Sequence, residues 1–238
     1  VTNGTTTTEQ GVLSGDGGLT KEGGGELVLN GSTNNTYTGA TVVNAGSLVL
    51  SNSGGNAIHS SSGITVNIGG TLVLGADNQI GDGIGLTLNG GTFLVGALNI
   101  TEKLGTLTLS ASSTIDFGDF GNNGLRQVTF DDSSLIAWTG TLTITNWQGV
   151  ARTSSEFTRL VFGVDGLNTN QLGQIVFASQ GINGGELIGG GELAPIPEAP
   201  VVWGAAALAA FIFWRERRRA RSFFGAILSK AAQGRDGT

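Results

Sequence analysis

The stretch GGELVLNGSTNNTYTGATVVNAGSLVL, residues 24–50, decides the fold. It holds two short apolar runs, Leu27-Val28-Leu29 and Leu48-Val49-Leu50, each introduced by a glycine and one polar residue. The phrase Gly-polar-apolar-x-apolar returns along the chain at Gly25, Gly46, Gly70, Gly91, Gly105 and Gly140, with intervals of 21, 24, 21, 14 and 35 residues. A period of twenty-odd residues, with strand-like runs and no sustained helical period before residue 200, is that of a coiled β structure in which every turn stacks on the last.

A second run precedes several of these phrases: Thr41-Val42-Val43-Asn44, Ile64-Thr65-Val66-Asn67 and Leu86-Thr87-Leu88-Asn89. The next glycine follows within two or three residues, so the chain turns a tight corner there, using the left-handed backbone that glycine and asparagine tolerate. Alternation of Leu/Val with Thr/Ser sends one row of side chains inward and one outward. Asparagines repeated at equivalent corners are expected to stack as a ladder. Residues 20–146 read as stacked coils, with 1–19 a frayed or truncated edge and the loops 51–62 and 75–85 protruding from the coil.

Gly24 to Leu50 resembles the autotransporter-associated β-strand repeat: Leu27, Leu29, Gly31, Asn35, Tyr37, Thr38, Gly39, Thr41, Val43, Asn44, Gly46, Leu48 and Leu50 fall in its pattern. The resemblance covers one full repeat and looser successors. It implies an all-β chain, a right-handed parallel β-helix (solenoid), on a bacterial surface protein. The repeat region is assigned to 1–146.

From Trp138 the pattern changes. Residues 147–194 read as a C-terminal cap, where tryptophans and phenylalanines close the apolar end of the coil. Asn168 is placed to cap one short helix running through Leu172. The run Gly189-Gly190-Gly191 lacks the Lys-Ser/Thr that a phosphate loop needs and reads as a linker.

Beyond it stand Pro195-Ile196-Pro197-Glu198-Ala199-Pro200, an uncharged apolar stretch from Val201 to Trp214, and Arg215-Glu216-Arg217-Arg218-Arg219-Ala220-Arg221. Fourteen helical residues rise only about 21 Å against a hydrocarbon layer of about 30 Å, which by itself favours a buried helix. Snorkelling arginines and interfacial Trp203 and Trp214 favour a single transmembrane helix over 201–214, with the arginines on the cytoplasmic side. A core helix or a basic nucleic-acid patch is the other reading. Residues 195–221 resemble the PEP-CTERM sorting signal, which implies processing by an exosortase at the inner membrane; Pro197, Glu198, Pro200, Arg215, Arg217, Arg218, Arg219 and Arg221 carry the match. Here the motif has one inserted residue, and a basic cytoplasmic tail, 222–238, follows the arginines. An uncleaved membrane anchor is the alternative.

Charge divides at the same place. Residues 1–200 carry five Lys and Arg against sixteen Asp and Glu, a balance of −11, and residues 201–238 carry seven against two, +5. An acidic outer part has no use for phosphate, so nucleic acid is excluded as its partner. The sequence has no cysteine, hence no disulfide framework and no thiolate metal site. It opens at Val1 without a signal peptide, and is expected to begin downstream of one.

No constellation announces chemistry. His59 lies alone in a Ser/Gly loop. The carboxylate pairs Asp116 with Asp119 and Asp131 with Asp132 sit where turns are expected, and adjacent residues on a strand point to opposite faces. The loop from Gly75 to Gly83 looks like a calcium-binding coil repeat but lacks its period. Catalytic residues, metal ligands and cofactors are therefore all expected to be none. The sequence points to an exported, non-enzymatic surface or matrix protein with a structural or adhesive role, sorted by an exosortase-type enzyme after transient inner-membrane anchoring, with extracellular polysaccharide as a candidate partner. Its rival is a carbohydrate-binding or carbohydrate-cleaving β-helix held by an uncleaved anchor.

Overall fold

The computed structural model describes residues 4–196 apart from 120 and 122. They form a β-solenoid of about six turns with almost no helix. The apolar stretch 201–214 and the arginine cluster lie outside the described residues, among which no helix is long and apolar enough to cross a membrane.

The chain visits three sides in a fixed order. Side one holds β2 (Leu19–Lys21), β4 (Thr41–Val43), β6 (Ile64–Asn67), β8 (Leu86–Asn89) and β11 (Leu107–Ala111). Side two holds β1 (Thr6–Glu9), β3 (Glu26–Leu29), β5 (Gly46–Leu50), β7 (Gly70–Leu74), β9 (Thr92–Val95), β12 (Ser113–Asp116), β14 (Leu142–Thr145) and β16 (Ile175–Phe177), all parallel, with β17 (Ile182–Asn183) antiparallel at its edge. Side three begins late, with β10 (Ile100–Leu104), β13 (Arg126–Phe130) and β15 (Thr158–Val161), and ends in the antiparallel pair β18 (Gly185–Ile188) and β19 (Glu192–Pro195).

Register follows the alternation of the sequence. The partners Leu27, Leu48, Leu72, Phe93, Ile115, Ile144 and Phe177 stack in one inward row of side two, and from Leu48 onward every member is fully buried. Burying each such side chain is worth about 1.5–3 kcal/mol. Val43, Val66, Leu88 and Leu109 form the matching row of side one. Among the last coils the row turns aromatic: Trp147 packs edge-on between Phe117 and Phe177, and Phe130 stacks on Phe162 with centroids 5.3 Å apart.

Two expectations, on the loops 51–62 and 75–85 and on Gly189–Gly191, need correction. The loops 51–62 and 75–85 do not protrude; they form side three of the early coils, burying Ala57, Ile58, Ile80 and Ile84 and pairing through bonds such as Ile58 N–H to Gln79 O, 3.0 Å. Residues 1–19 hold the edge strand of side two, β1, all four residues of which pair with β3. The interval of 14 arises because Gly105 introduces a side-one strand, β11, whereas Gly25, Gly46, Gly70, Gly91 and Gly140 introduce side-two strands; the side-two strand of that coil, β12, has no leading glycine. Gly189–Gly191 is a turn joining β18 to β19, with Gly191 O accepting Phe162 N–H, and not a linker. Parallel pairing also runs beyond residue 146, through β15 and β16, and antiparallel strands follow it.

The short helix α1 (Thr169–Gly173) forms as its cap predicts. Asn168 Oδ1 accepts the N–H groups of Asn170 and Gln171, and Gln171 Oε1 accepts the Asn168 N–H at 2.7 Å. The ion pair of half-buried Arg159 with buried Glu192 ties β15 to β19, with Ser154 and Ser155 also donating to the carboxylate.

Candidate functional site

The largest regular feature is the outer wall. On side two the register aligns Ser47, Thr71, Thr92, Thr114 and Thr143 in one outward row, and Val28, Val49, Val73 and Leu94 in the next. Side one presents Thr20, Val42, Thr65, Thr87 and Thr108. At the corner between them the expected asparagine ladder is present: Asn44 Nδ2 donates to Glu22, Asn67 Nδ2 to Asn44 Oδ1 at 2.7 Å, and Asn89 Nδ2 to Asn67 Oδ1 at 2.8 Å. Successive strands in a sheet lie about 4.8 Å apart, so the wall offers hydroxyl, aliphatic and amide groups at one repeating spacing.

Inside, polar groups continue the same logic. At the corner leading to side three, Asn52 accepts the Gly31 N–H (2.8 Å), Gln79 accepts the Asn52 N–H (2.7 Å), and Glu102 accepts the N–H groups of Gln79 (2.7 Å) and Ile80 (3.2 Å). Burial, reinforced by Asp77 and Asp82, outweighs the two N–H donors and pushes the Glu102 carboxyl up to about 7. Lys21 occupies the inward row of side one, where Val43 follows; its ammonium donates to the carbonyls of Glu22, Gly23 and Ala45. Arg126, also inward, donates to the carbonyls of Phe117, Gly118 and Gly121. These three buried charges were not singled out from the sequence, although each sits in the apolar phase of its strand, as in Ile100-Thr101-Glu102-Lys103-Leu104.

The residues weighed as chemical candidates are spread apart. His59 is exposed and its Nδ1 lies 3.3 Å from Asn56 Oδ1. Asp116 Oδ1 accepts Gly118 N–H and Asn146 Nδ2, while Asp119 is exposed. Asp132 accepts Ser134 N–H, and the Ser134 bonds hold it below the usual carboxylate range; Asp131 pairs instead with Lys103 at 3.8 Å. In the loop from Gly75 to Gly83, Asp77 accepts the Thr101 N–H and Asp82 faces Lys103 at 4.0 Å. Among the described residues no group of three or more His, Asp or Glu side chains is arranged to hold a metal ion. A hollow of about 270 Å³ beside α1 is lined by Ser134, Leu135, Trp138, Asn168, Gln171 and Gln174. The Nδ2 and Nε2 groups of these three amides are spent on carbonyls of the loop 133–140. Pro197, Glu198, Pro200, Arg215, Arg217, Arg218, Arg219 and Arg221 lie outside the described residues.

The passenger-associated-transport-repeat family matches residues 19–50, the stretch from β2 through β5. The chain is 34% identical over 138 residues to the adhesin BmaC autotransporter of Brucella suis biovar 1 (strain 1330), an alignment covering 55% of this chain and 4% of that protein. It is 60% identical over 38 residues to the neisserial autotransporter lipoprotein NalP of Neisseria meningitidis serogroup B (strain MC58), covering 16% of this chain and 3% of that protein. The chain thus spans only a few per cent of the length of these relatives. No solved structure matches it.

Proposed function

We propose that this chain is a non-enzymatic structural or adhesive segment of an exported bacterial surface protein. One observation carries the reading: a passenger-type repeat at 19–50 folds into successive coils of a longer parallel stack, β2 on β4 and β3 on β5, whose outer rows repeat from turn to turn. Such a stack supplies length and a large uniform wall and needs no converging catalytic groups. Contact made by the wall is multivalent, many weak hydroxyl and amide contacts at one spacing, which suits an extended polymer such as extracellular polysaccharide.

The segment 195–221 serves in this reading as a PEP-CTERM sorting signal, with Pro197, Glu198 and Pro200 read by an exosortase-type enzyme while the apolar stretch 201–214 sits in the inner membrane and the arginines stay inside. The order of proline motif, apolar run and arginine cluster supports it. The rival, a carbohydrate-cleaving solenoid, requires two carboxyls about 5 Å apart or separated by a water, and Asp116 and Asp131 are each committed to other bonds.

The test is the intact mass of the protein recovered from surface and membrane fractions of its native host. A species ending within residues 197–200 and found outside the inner membrane is expected. A species ending at Thr238 and confined to the membrane refutes sorting and leaves a plain anchor.

A further inference from the structure

Glu102 stands where one inward row of side three passes from amides to hydrocarbon. In the two preceding coils the equivalent corner holds neutral amides, Asn52 and Gln79, each accepting the backbone N–H of the coil before. In the following coils its row holds Val128 and Leu160. Glu102 is therefore a carboxyl between an amide ladder and a hydrocarbon core, 0% exposed, with two N–H donors and no cation on it. It also lies where side three passes from loop to sheet, fastening residues 79 and 80 of the last loop coil to β10, the first strand.

The charged groups around it are set against ionisation. From the preceding coil Asp77 and Asp82 raise its affinity for a proton. On its own strand Lys103 points outward and is shared between Asp82 at 4.0 Å and Asp131 of the next coil at 3.8 Å. Arg126, on the adjoining strand β13, pairs in register with Ile100 and is turned to the carbonyls of Phe117 and Gly118. A carboxylate formed here meets no counter-ion among the described residues, and the loop 75–85 covers it from water.

We propose that Glu102 is a proton-operated latch on side three of the solenoid: protonated, it holds the loop 75–85 against β10, and ionised, it releases that loop to solvent. The sign follows from burial, which penalises only the charged form, so the closed state binds the proton more tightly and closure is favoured in mild acid. The latch makes one turn of an otherwise uniform wall responsive near neutral pH, and it exposes or hides the backbone of Gln79 and Ile80.

Hydrogen exchange on the full chain tests this, read as protection of segments covering 76–85 and 98–104 after correction for intrinsic exchange. Between about pH 5.5 and pH 8 protection in these segments is expected to fall by more than about tenfold, with 64–74 unchanged as the internal reference. Glu102→Gln, which extends the amide ladder by one rung, is expected to hold high protection at both pH values. Asp77→Asn removes a like charge that raises the carboxyl's proton affinity and leaves Glu102 in place, so it is expected to move the transition to lower pH, since the carboxyl then ionises more readily. Protection that does not change with pH in the unsubstituted chain overturns the proposal, as does an unchanged pH dependence in Glu102→Gln or a midpoint that stays fixed in Asp77→Asn.

Discussion

Gly46 and Gly69 share a left-handed backbone, φ +65° and +83°, yet they answer different physical demands. At Gly46 an added Cβ comes 2.2 Å from Gly25 O and 2.6 Å from Gly23 O, carbonyls of the coil below; Gly25 O is also the acceptor of Ser47 N–H at 3.1 Å. At Gly69 the nearest atom is Asn44 O at 3.9 Å, ordinary contact. Gly69→Ala therefore loses only the backbone term, about 1–2 kcal/mol. Gly46→Ala adds the clash, which is relieved only by pushing two coils apart and weakening ladder bonds worth about 0.5–1.5 kcal/mol each, for about 3–4 kcal/mol in all. For a domain of this size 1 kcal/mol moves Tm by roughly 2–4 °C, so thermal unfolding followed by circular dichroism is expected to show roughly 6–16 °C for Gly46→Ala and roughly 2–8 °C for Gly69→Ala. Equal shifts, or a larger one for Gly69→Ala, refute the claim that coil-to-coil approach at this corner selects glycine.

Phe93→Ala empties the place in the inward row between Leu72 and Ile115 and is expected to cost about 3–5 kcal/mol in denaturant unfolding. Glu192→Ala strips Arg159, Ser154 and Ser155 of their shared acceptor; a loss of about 2–4 kcal/mol is expected, discounted for the partial exposure of Arg159, with limited proteolysis cutting first near β18 and β19. Because Glu102 is raised from an ordinary 4.5 to about 7, its contribution is fully present below about pH 4.5 and is lost as pH rises through about 7. The shift corresponds to at most about 3 kcal/mol, and Glu102→Gln is expected to narrow the stability difference between about pH 5 and pH 8 by that order, read from denaturant midpoints.

Sides one and two were legible in the sequence because each strand carries its own alternation and a glycine or asparagine marks the corner between them. The ladder of Asn44, Asn67 and Asn89 and the capping of α1 by Asn168 followed from the same local chemistry. Side three was not legible in the early coils. Ala57-Ile58, Ile80 and Ile84 are isolated among Gly, Ser and Asn, and their place in the wall is set by the coils above and below, not by a run of their own. β12, reading Ser113-Thr114-Ile115-Asp116, was missed because it lacks the leading glycine. Of the candidate site, the outer wall was foreseen as a repeating surface. The buried Lys21, Glu102 and Arg126 were readable only by strand phase, because composition counts a charge without saying which way it points.

The central claim, a surface-exposed solenoid, is tested most directly by single-cysteine labelling in the native host, since the sequence has no cysteine of its own. Ile68 is 80% exposed at a corner and Leu72, four residues on, is fully buried in the inward row. A membrane-impermeant maleimide applied to intact cells is predicted to label Ile68→Cys and to leave Leu72→Cys unmodified until the protein is denatured. Labelling of Ile68→Cys only after the cells are broken contradicts export to the surface, and equal labelling of both on intact cells contradicts the solenoid.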